Sequence, residues 1–183
     1  PAATVGSSPA RGIRNAKGEL VCMLNSEDIY FPGVIKKMVD CFAKNLDVQV
    51  VYGVPVQEKK NITLPPLKVH GRFPEGYILP DYLSDEFIHN NSFMIRKELM
   101  LSYGMYRDEL TNHEDIELLR RLTAKLKFFF CGAYITLLRK KGVHASTNYE
   151  KILNQGVKAV DLLYSTPDLP RGLLDMRSRL YAK

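Results

Sequence analysis

Apolar residues along the chain alternate between short unbroken runs and a three-to-four-residue spacing. The run LVCML at 20–24 ends abruptly in the polar cluster NSED at 25–28. A run of that length bounded by turn residues predicts a short, fully buried strand. Pro32 follows, where the first turn of a helix tolerates proline. Val34, Ile35, Met38, Val39 and Phe42 then keep helical spacing through Asn45. VQVVYGV at 48–54 predicts a second buried strand. Strand, helix and strand in that order favour a parallel α/β arrangement.

The pattern changes at 55–86, which carries prolines 55, 65, 66, 74 and 80, several glycines and mixed charges. A stretch that long without regular spacing predicts a functional loop or lid. FIHNNSFMIRKELM at 87–100 reads as a strand running into a short helix, and 102–110 as a turn-rich connection. Ile116, Leu119, Leu122 and Leu126 trace a helical face, and KFFFCGAYITLLR at 127–139 predicts a strand or strand pair. Amphipathic helices are predicted near 149–164 and near 170–181, separated by STPDLP. The first ten residues, small, polar and proline-bearing, read as an unstructured lead-in. No internal repeat is visible.

Composition narrows the class. The chain has 183 residues, 45% hydrophobic and 25% charged, as an ordinary globular domain does. No apolar run approaches the roughly 20 residues of a membrane span. The three cysteines, Cys22, Cys41 and Cys131, lack metal-type spacing and read as reduced thiols. The formal charge is +6, and residues 139–183 hold nine Lys/Arg against four acids. This basic tail reads as a solvated helical face, with peripheral contact to an anionic membrane surface as the functional alternative. No aromatic-basic surface motif points to nucleic acid.

Two acidic sites carry the candidate chemistry. Ligands of open α/β sheets bind outside the carboxyl ends of the strands, where Asn25, Ser26, Glu27 and Asp28 lie. Glu27 and Asp28 can offer oxygen ligands to Mg²⁺ or Mn²⁺. Alternatively, Ser26 or Asp28 caps the following helix. The second site is His113-Glu114-Asp115. Thr111 and Glu114 fit the S/T-x-x-E capping box, which would make Glu114 structural. Asp115 is not needed for that box. In the first turn the helix dipole keeps it ionised, as a general base requires.

Read together, these segments resemble the family-2 inverting glycosyltransferases of GT-A fold. That family carries A-R-N…A-x-G-E, an apolar strand, D-S-D-D and a proline-led helix; here the stretch is ARGIRNAKGELVCMLNSEDIYFPGVIKKM. The family pattern E-D-x-D-L-x-x-R appears as EDIELLRR, with Glu114, Asp115, Glu117, Leu118 and Arg121 at the matching positions. The resemblance covers roughly residues 10–148. It implies a GT-A-like mixed, mainly parallel sheet flanked by helices, incomplete at the N-terminus, with a helical C-terminal extension over 149–183. It also implies transfer of a sugar from a nucleotide-sugar donor to a hydroxyl of a saccharide or glycolipid, with inversion, in polysaccharide biosynthesis; the expected location is cytoplasmic, with the inner face of the membrane as the alternative.

Roles follow the same correspondence. Glu27 falls on the metal-binding acid, with Asp28 beside it, and Asn25 falls on the acid nearer the ribose. Arg11 and Asn15 fall in the region near the donor phosphates, and Asp115 on the catalytic base. Asn90, Asn91 and Ser92 either hydrogen-bond sugar hydroxyls or shape a turn; Glu114, Arg121 and Arg139 join Asn91 and Ser92 as acceptor-binding or supporting residues. The loop at 55–86 would cover the acceptor.

The chain departs from the family pattern in three places. D-S-D-D is N-S-E-D. In the late Y-R-x-H element Arg139 matches but Lys141 replaces the histidine; His144 is either its substitute or an exposed histidine. The strands that read the nucleotide base have no counterpart upstream of Ala10, so the resemblance implies a longer chain and weak turnover by these 183 residues alone. The competing reading is a non-catalytic module that kept the fold and binds a sugar or nucleotide.

Overall fold

A computed structural model of the chain describes residues 7–58, 64, 66–67, 73–139 and 149–165. In chain order the elements are α1 (Ser7–Asn15), β1 (Leu20–Cys22), β2 (Ile29–Tyr30), α2 (Val34–Lys44), β3 (Val50–Gln57), α3 (Leu79–Ser84), β4 (Phe93–Arg96), α4 (Lys97–Ser102), α5 (Glu114–Lys125), β5 (Phe128–Leu138) and α6 (Tyr149–Tyr164). The five strands form one sheet in the order β1-β4-β3-β5-β2.

The sheet is mixed, which corrects the expectation of a mainly parallel one. Only β3 and β5 pair in parallel; β1 with β4, β4 with β3, and β2 with β5 are antiparallel. The predicted strand–helix–strand unit exists as β1–α2–β3, and its two strands run the same way. The returning strand β4 is inserted between them, so they never touch edge to edge. The carboxyl ends of β1, β3 and β5 therefore share one end of the sheet, the end where ligands of such sheets bind.

Alternation along the central strands builds two cores. Val50 and Tyr52 of β3, with Phe93 and Ile95 of β4, face α3 and α5 and join Tyr82, Leu118, Leu122 and Phe128. Val51 and Met94 point to the other face and pack with Val34, Met38 and Phe42 of α2. Such a period of two is what a strand buried on both faces requires. Of the five apolar positions predicted for α2, Ile35 and Val39 are exposed, each about 40% accessible, so the buried stripe is narrower than the spacing suggested. Gly53 lets β3 and β5 approach closely: a Cβ there would lie 2.2 Å from Ile135 Cγ1 and 2.7 Å from the Ala133 carbonyl oxygen.

Several local expectations change. The lead-in is helical from Ser7, because Ala10 and Ile13 bury against the body of the domain. Lys97 Nζ closes that helix by donating to the carbonyls of Arg14 (3.2 Å) and Ala16 (2.5 Å), a favourable place for a cation. Pro32 lies outside α2, whose N-cap is Gly33 in the left-handed region at φ 77° with no side-chain cap. Within 55–86, β3 runs on to Gln57 and α3 forms at 79–84. The helix predicted near 149–164 is α6. It docks through Val160 and Leu163 onto Leu79 and Leu83. The predicted helix near 170–181 and most of the basic tail lie outside the described residues. No described helix is long and apolar enough to cross a membrane.

Candidate active site

The NSED turn follows β1. Its capping alternative is overturned, since Gly33 and not Ser26 or Asp28 precedes α2. Asp28 instead ties three segments together. Its Oδ2 accepts hydrogen bonds from Asn25 Nδ2 (3.1 Å) and Asn91 Nδ2 (2.5 Å), and its Oδ1 accepts one from the Arg139 backbone N–H (3.0 Å). Tyr30 secures the same turn by donating to the Met23 carbonyl at 2.6 Å. Glu27 is exposed, and its carboxylate accepts one bond from Ser26 Oγ at 3.3 Å. Among the described residues no three His, Cys, Asp or Glu side chains converge as a metal cage. Glu27 thus presents one exposed carboxylate, a hard oxygen donor of the kind Mg²⁺ and Mn²⁺ take alongside phosphate oxygens.

Asn91 and Ser92 sit at the start of β4 and are buried, at 2% and 0% accessibility. Besides holding Asp28, Asn91 accepts a bond from Thr136 Oγ1 of β5 at its carbonyl (2.5 Å), while its Oδ1 is buried without a partner. Ser92 Oγ accepts from the His89 N–H and donates to the His89 carbonyl, each at 2.9 Å. Ser92 is therefore turn chemistry, whereas Asn91 fixes the strand ends. A hydrogen bond to a charged acceptor is worth about 1.5–3 kcal/mol. Asn91→Ala is expected to lose that much stability in a urea titration; a loss below about 0.5 kcal/mol would contradict this role.

The second acidic site opens α5. The capping box is not formed: His113 is the N-cap, at φ 61°, with no side-chain cap bond, and Glu114 is the first helical residue. The helix starts late because the preceding segment is held elsewhere. The Thr111 N–H donates to Gln155 Oε1 of α6 at 2.8 Å, and Lys158 Nζ of α6 donates to the Glu109 carbonyl at 2.9 Å. Thr111 Oγ1 is buried without a partner, as is His113 Nδ1. Asp115 is half-buried, and its Oδ1 accepts the Ile116 N–H at 2.9 Å. Burial holds the Glu114 carboxyl above its ordinary range, and the adjacent Asp115 pushes it further up. Burial raises the Tyr106 and Tyr82 hydroxyls as well, and the charge of Asp115 adds to both.

The polar network linking the acids was not foreseen. Tyr106 Oη donates to Asn90 Oδ1, and Asn90 adjoins Asn91, the partner of Asp28. The dipeptide Asn90-Asn91 thus joins the turn after β1 to Tyr106, whose hydroxyl the charge of Asp115 helps to raise. Behind it, Glu117 is fully buried and accepts from Arg107 Nε (2.9 Å), Arg121 Nε (3.0 Å) and Arg121 Nη2 (2.8 Å). Arg121 also donates to the carbonyls of Tyr103, Gly104 and Met105. Arg121 is thus a supporting residue that clamps the loop bearing Tyr106. The i,i+4 spacing of Glu117 and Arg121 in EDIELLRR was the available signal for this pair.

Other predicted residues stand apart. Arg11 and Asn15 lie exposed on α1, bonded through Asn15 Nδ2 to the Arg11 carbonyl (3.0 Å) and not to 25–28. The Arg139 side chain is exposed, 4.0 Å from Glu58; its backbone is what reaches Asp28. His144 and Lys141 lie outside the described residues.

This fold is shared with a structurally characterised protein. The chain superposes on S. aureus TarS 1–349 in complex with UDP-GlcNAc with a TM-score of 0.68 at 14% identity, over 98% of this chain and 51% of that one. The UDP complex of the same protein gives 0.66 at 12% identity. In sequence the chain is 26% identical over 163 residues to an uncharacterized glycosyltransferase of Rickettsia prowazekii, covering 86% of this chain and 50% of that protein. It is likewise 26% identical over 156 residues to one of Rickettsia typhi, covering 82% and 48%. The chain thus spans about half the length of these curated relatives. No family model matches it.

Proposed function

We propose that the chain carries the catalytic half of an inverting glycosyltransferase of GT-A type, moving a hexosyl unit from a nucleotide-sugar to a saccharide or glycolipid hydroxyl. The observation that carries this reading is the hydrogen-bonded run from Asp28 through Asn91 and Asn90 to Tyr106, the hydroxyl on which the charge of Asp115 acts. The TarS complexes with UDP and UDP-GlcNAc and the glycosyltransferase relatives support a nucleotide-sugar as donor.

In this reading the turn at 25–28 receives the donor diphosphate. Glu27 would hold Mg²⁺ or Mn²⁺ there, and the cation would supply charge stabilisation to the departing diphosphate. Asp28 keeps the turn in place by its three hydrogen bonds, so Glu27 stays free to face the donor. Asp115 accepts the proton of the acceptor hydroxyl as that oxygen attacks the anomeric carbon. One base and one direct displacement invert that carbon. Holding both substrates in line contributes much of the remaining rate.

The test is release of UDP from UDP-GlcNAc with Mn²⁺, with and without added oligosaccharides. Release that rises with acceptor supports the reading. Donor binding without any acceptor-dependent release would favour the non-catalytic sugar- or nucleotide-binding module.

A further inference from the structure

Two positions before Asp115, the chain does something locally unfavourable three times over. His113 is the single non-glycine residue at positive φ among the described residues, at 61°, where the backbone crowds the Cβ of any L-residue. It caps α5 with no side-chain hydrogen bond. Its Nδ1 is buried without a partner, which carries a desolvation cost. Glycine would suit the backbone better, and serine or aspartate the cap. Strain of this kind persists where the surrounding fold enforces it, and it clusters at functional sites.

We propose that His113 is a positioning residue for Asp115: with its ring seated against Gly156 of α6, it fixes the first turn of α5 and so the direction of the base. This rests on the glycosyltransferase reading above and adds a residue on which its general base depends.

Helix α6 forms the other side of the arrangement. A Cβ built on Gly156 would meet only His113 within 4 Å, at 3.8 Å from both Cε1 and Nε2. Glycine is a poor residue for a helix interior, and here it leaves the surface of α6 open where the imidazole lies. Gln155 Oε1 accepts the Thr111 N–H at 2.8 Å, and Lys158 Nζ donates to the Glu109 carbonyl at 2.9 Å. Helix α6 thus meets the segment 109–113 at three places. Downstream, the His113 carbonyl accepts the Glu117 N–H at 2.9 Å and so closes the first turn of α5. Within that turn Asp115 Oδ1 accepts the Ile116 N–H at 2.9 Å, and Oδ2 takes no bond among the described residues. One carboxylate oxygen is pinned and the other is left for a substrate proton. The direction of the free oxygen follows that of the turn.

The experiment compares the full chain with His113→Gly, His113→Asn and Gly156→Leu. The first two residues suit a left-handed backbone and the third is a better helix former than glycine, so none should lower the thermal midpoint. Exchange of the Ile116 and Glu117 amide hydrogens is expected to be at least about tenfold faster in each variant, with Leu119 and Leu122 unchanged. In acceptor-dependent release of UDP from UDP-GlcNAc, kcat should fall about ten- to a hundredfold while both KM values hold, the mark of an interaction felt in the transition state. UDP affinity with Mn²⁺ should stay the same. Unchanged exchange, unchanged kcat in His113→Asn and Gly156→Leu, or a loss of turnover that follows a fall in the midpoint would overturn the proposal. If the unaltered chain binds UDP but shows no acceptor-dependent release, the transfer reading falls. In that case faster exchange keeps the ordering role of His113, and unchanged exchange removes it.

Discussion

Asp115→Asn is expected to lower acceptor-dependent turnover by roughly 10²–10⁴-fold, the usual contribution of a positioned general base. The substitution is suited to the site. Asparagine keeps the oxygen that accepts the Ile116 N–H at 2.9 Å, so the first turn of α5 retains its bond. It removes the charge that both Tyr82 and Tyr106 face. UDP affinity and thermal midpoint should therefore hold while turnover falls. Single-turnover transfer, read beside a UDP titration and a melt, separates these outcomes. Unchanged turnover would remove Asp115 from the chemistry. A collapse of the melt would make its role structural.

Arg121→Ala is expected to be the most destabilising single change near the site, by about 3–5 kcal/mol, because it leaves a buried carboxylate with half its partnership gone. For a domain of this size that corresponds to a fall of roughly 6–20 °C in the midpoint. Glu117 has no solvent to turn to, being fully buried. Arg107, 31% accessible at its side chain, is its other cationic partner. The change also strips donors from the carbonyls of residues 103–105, so the loop bearing Tyr106 loosens and the bond to Asn90 is lost with it. Pairing the change with Glu117→Leu should recover part of the loss, because an apolar pair carries no uncompensated charge. A loss below about 1 kcal/mol for Arg121→Ala alone would show the pair to be dispensable.

The elements most legible in the sequence were those whose pattern and burial agree. The unbroken run around VVYG became β3, the aromatic run KFFF opened β5, and the amphipathic stretch near 149–164 became α6. Elements decided by tertiary contact were hidden. The start of α1, Ser7–Ala10, read as part of the lead-in because it holds little that is apolar, and Ala10 and Ile13 anchor the helix only through tertiary burial. β2 is two residues long and exists through its pairing with Thr136 and Leu137. The order of the sheet was equally out of reach, since nothing local in LVCML says that a strand 70 residues later will pair beside it.

The site shows the same division. That acids follow β1 and open α5 was visible in NSED and HED. What each acid does was not. The cap that Asp28 could have formed is absent, and its carboxylate is engaged by Asn25, Asn91 and Arg139 from three parts of the chain. Thr111 and Glu114 had the right spacing for a capping box, but α6 draws Thr111 away and the helix begins at Glu114. Spacing along one segment cannot encode a partner on another.

The central claim is that the turn after β1 receives the donor diphosphate through Glu27. Its most direct test is a calorimetric titration of UDP into the chain and into Glu27→Ala, each with and without Mn²⁺. The account predicts binding that requires Mn²⁺ and is lost in the variant, with the thermal midpoint unchanged because Glu27 is exposed. UDP binding of equal strength without Mn²⁺, or unaltered in Glu27→Ala, would contradict it.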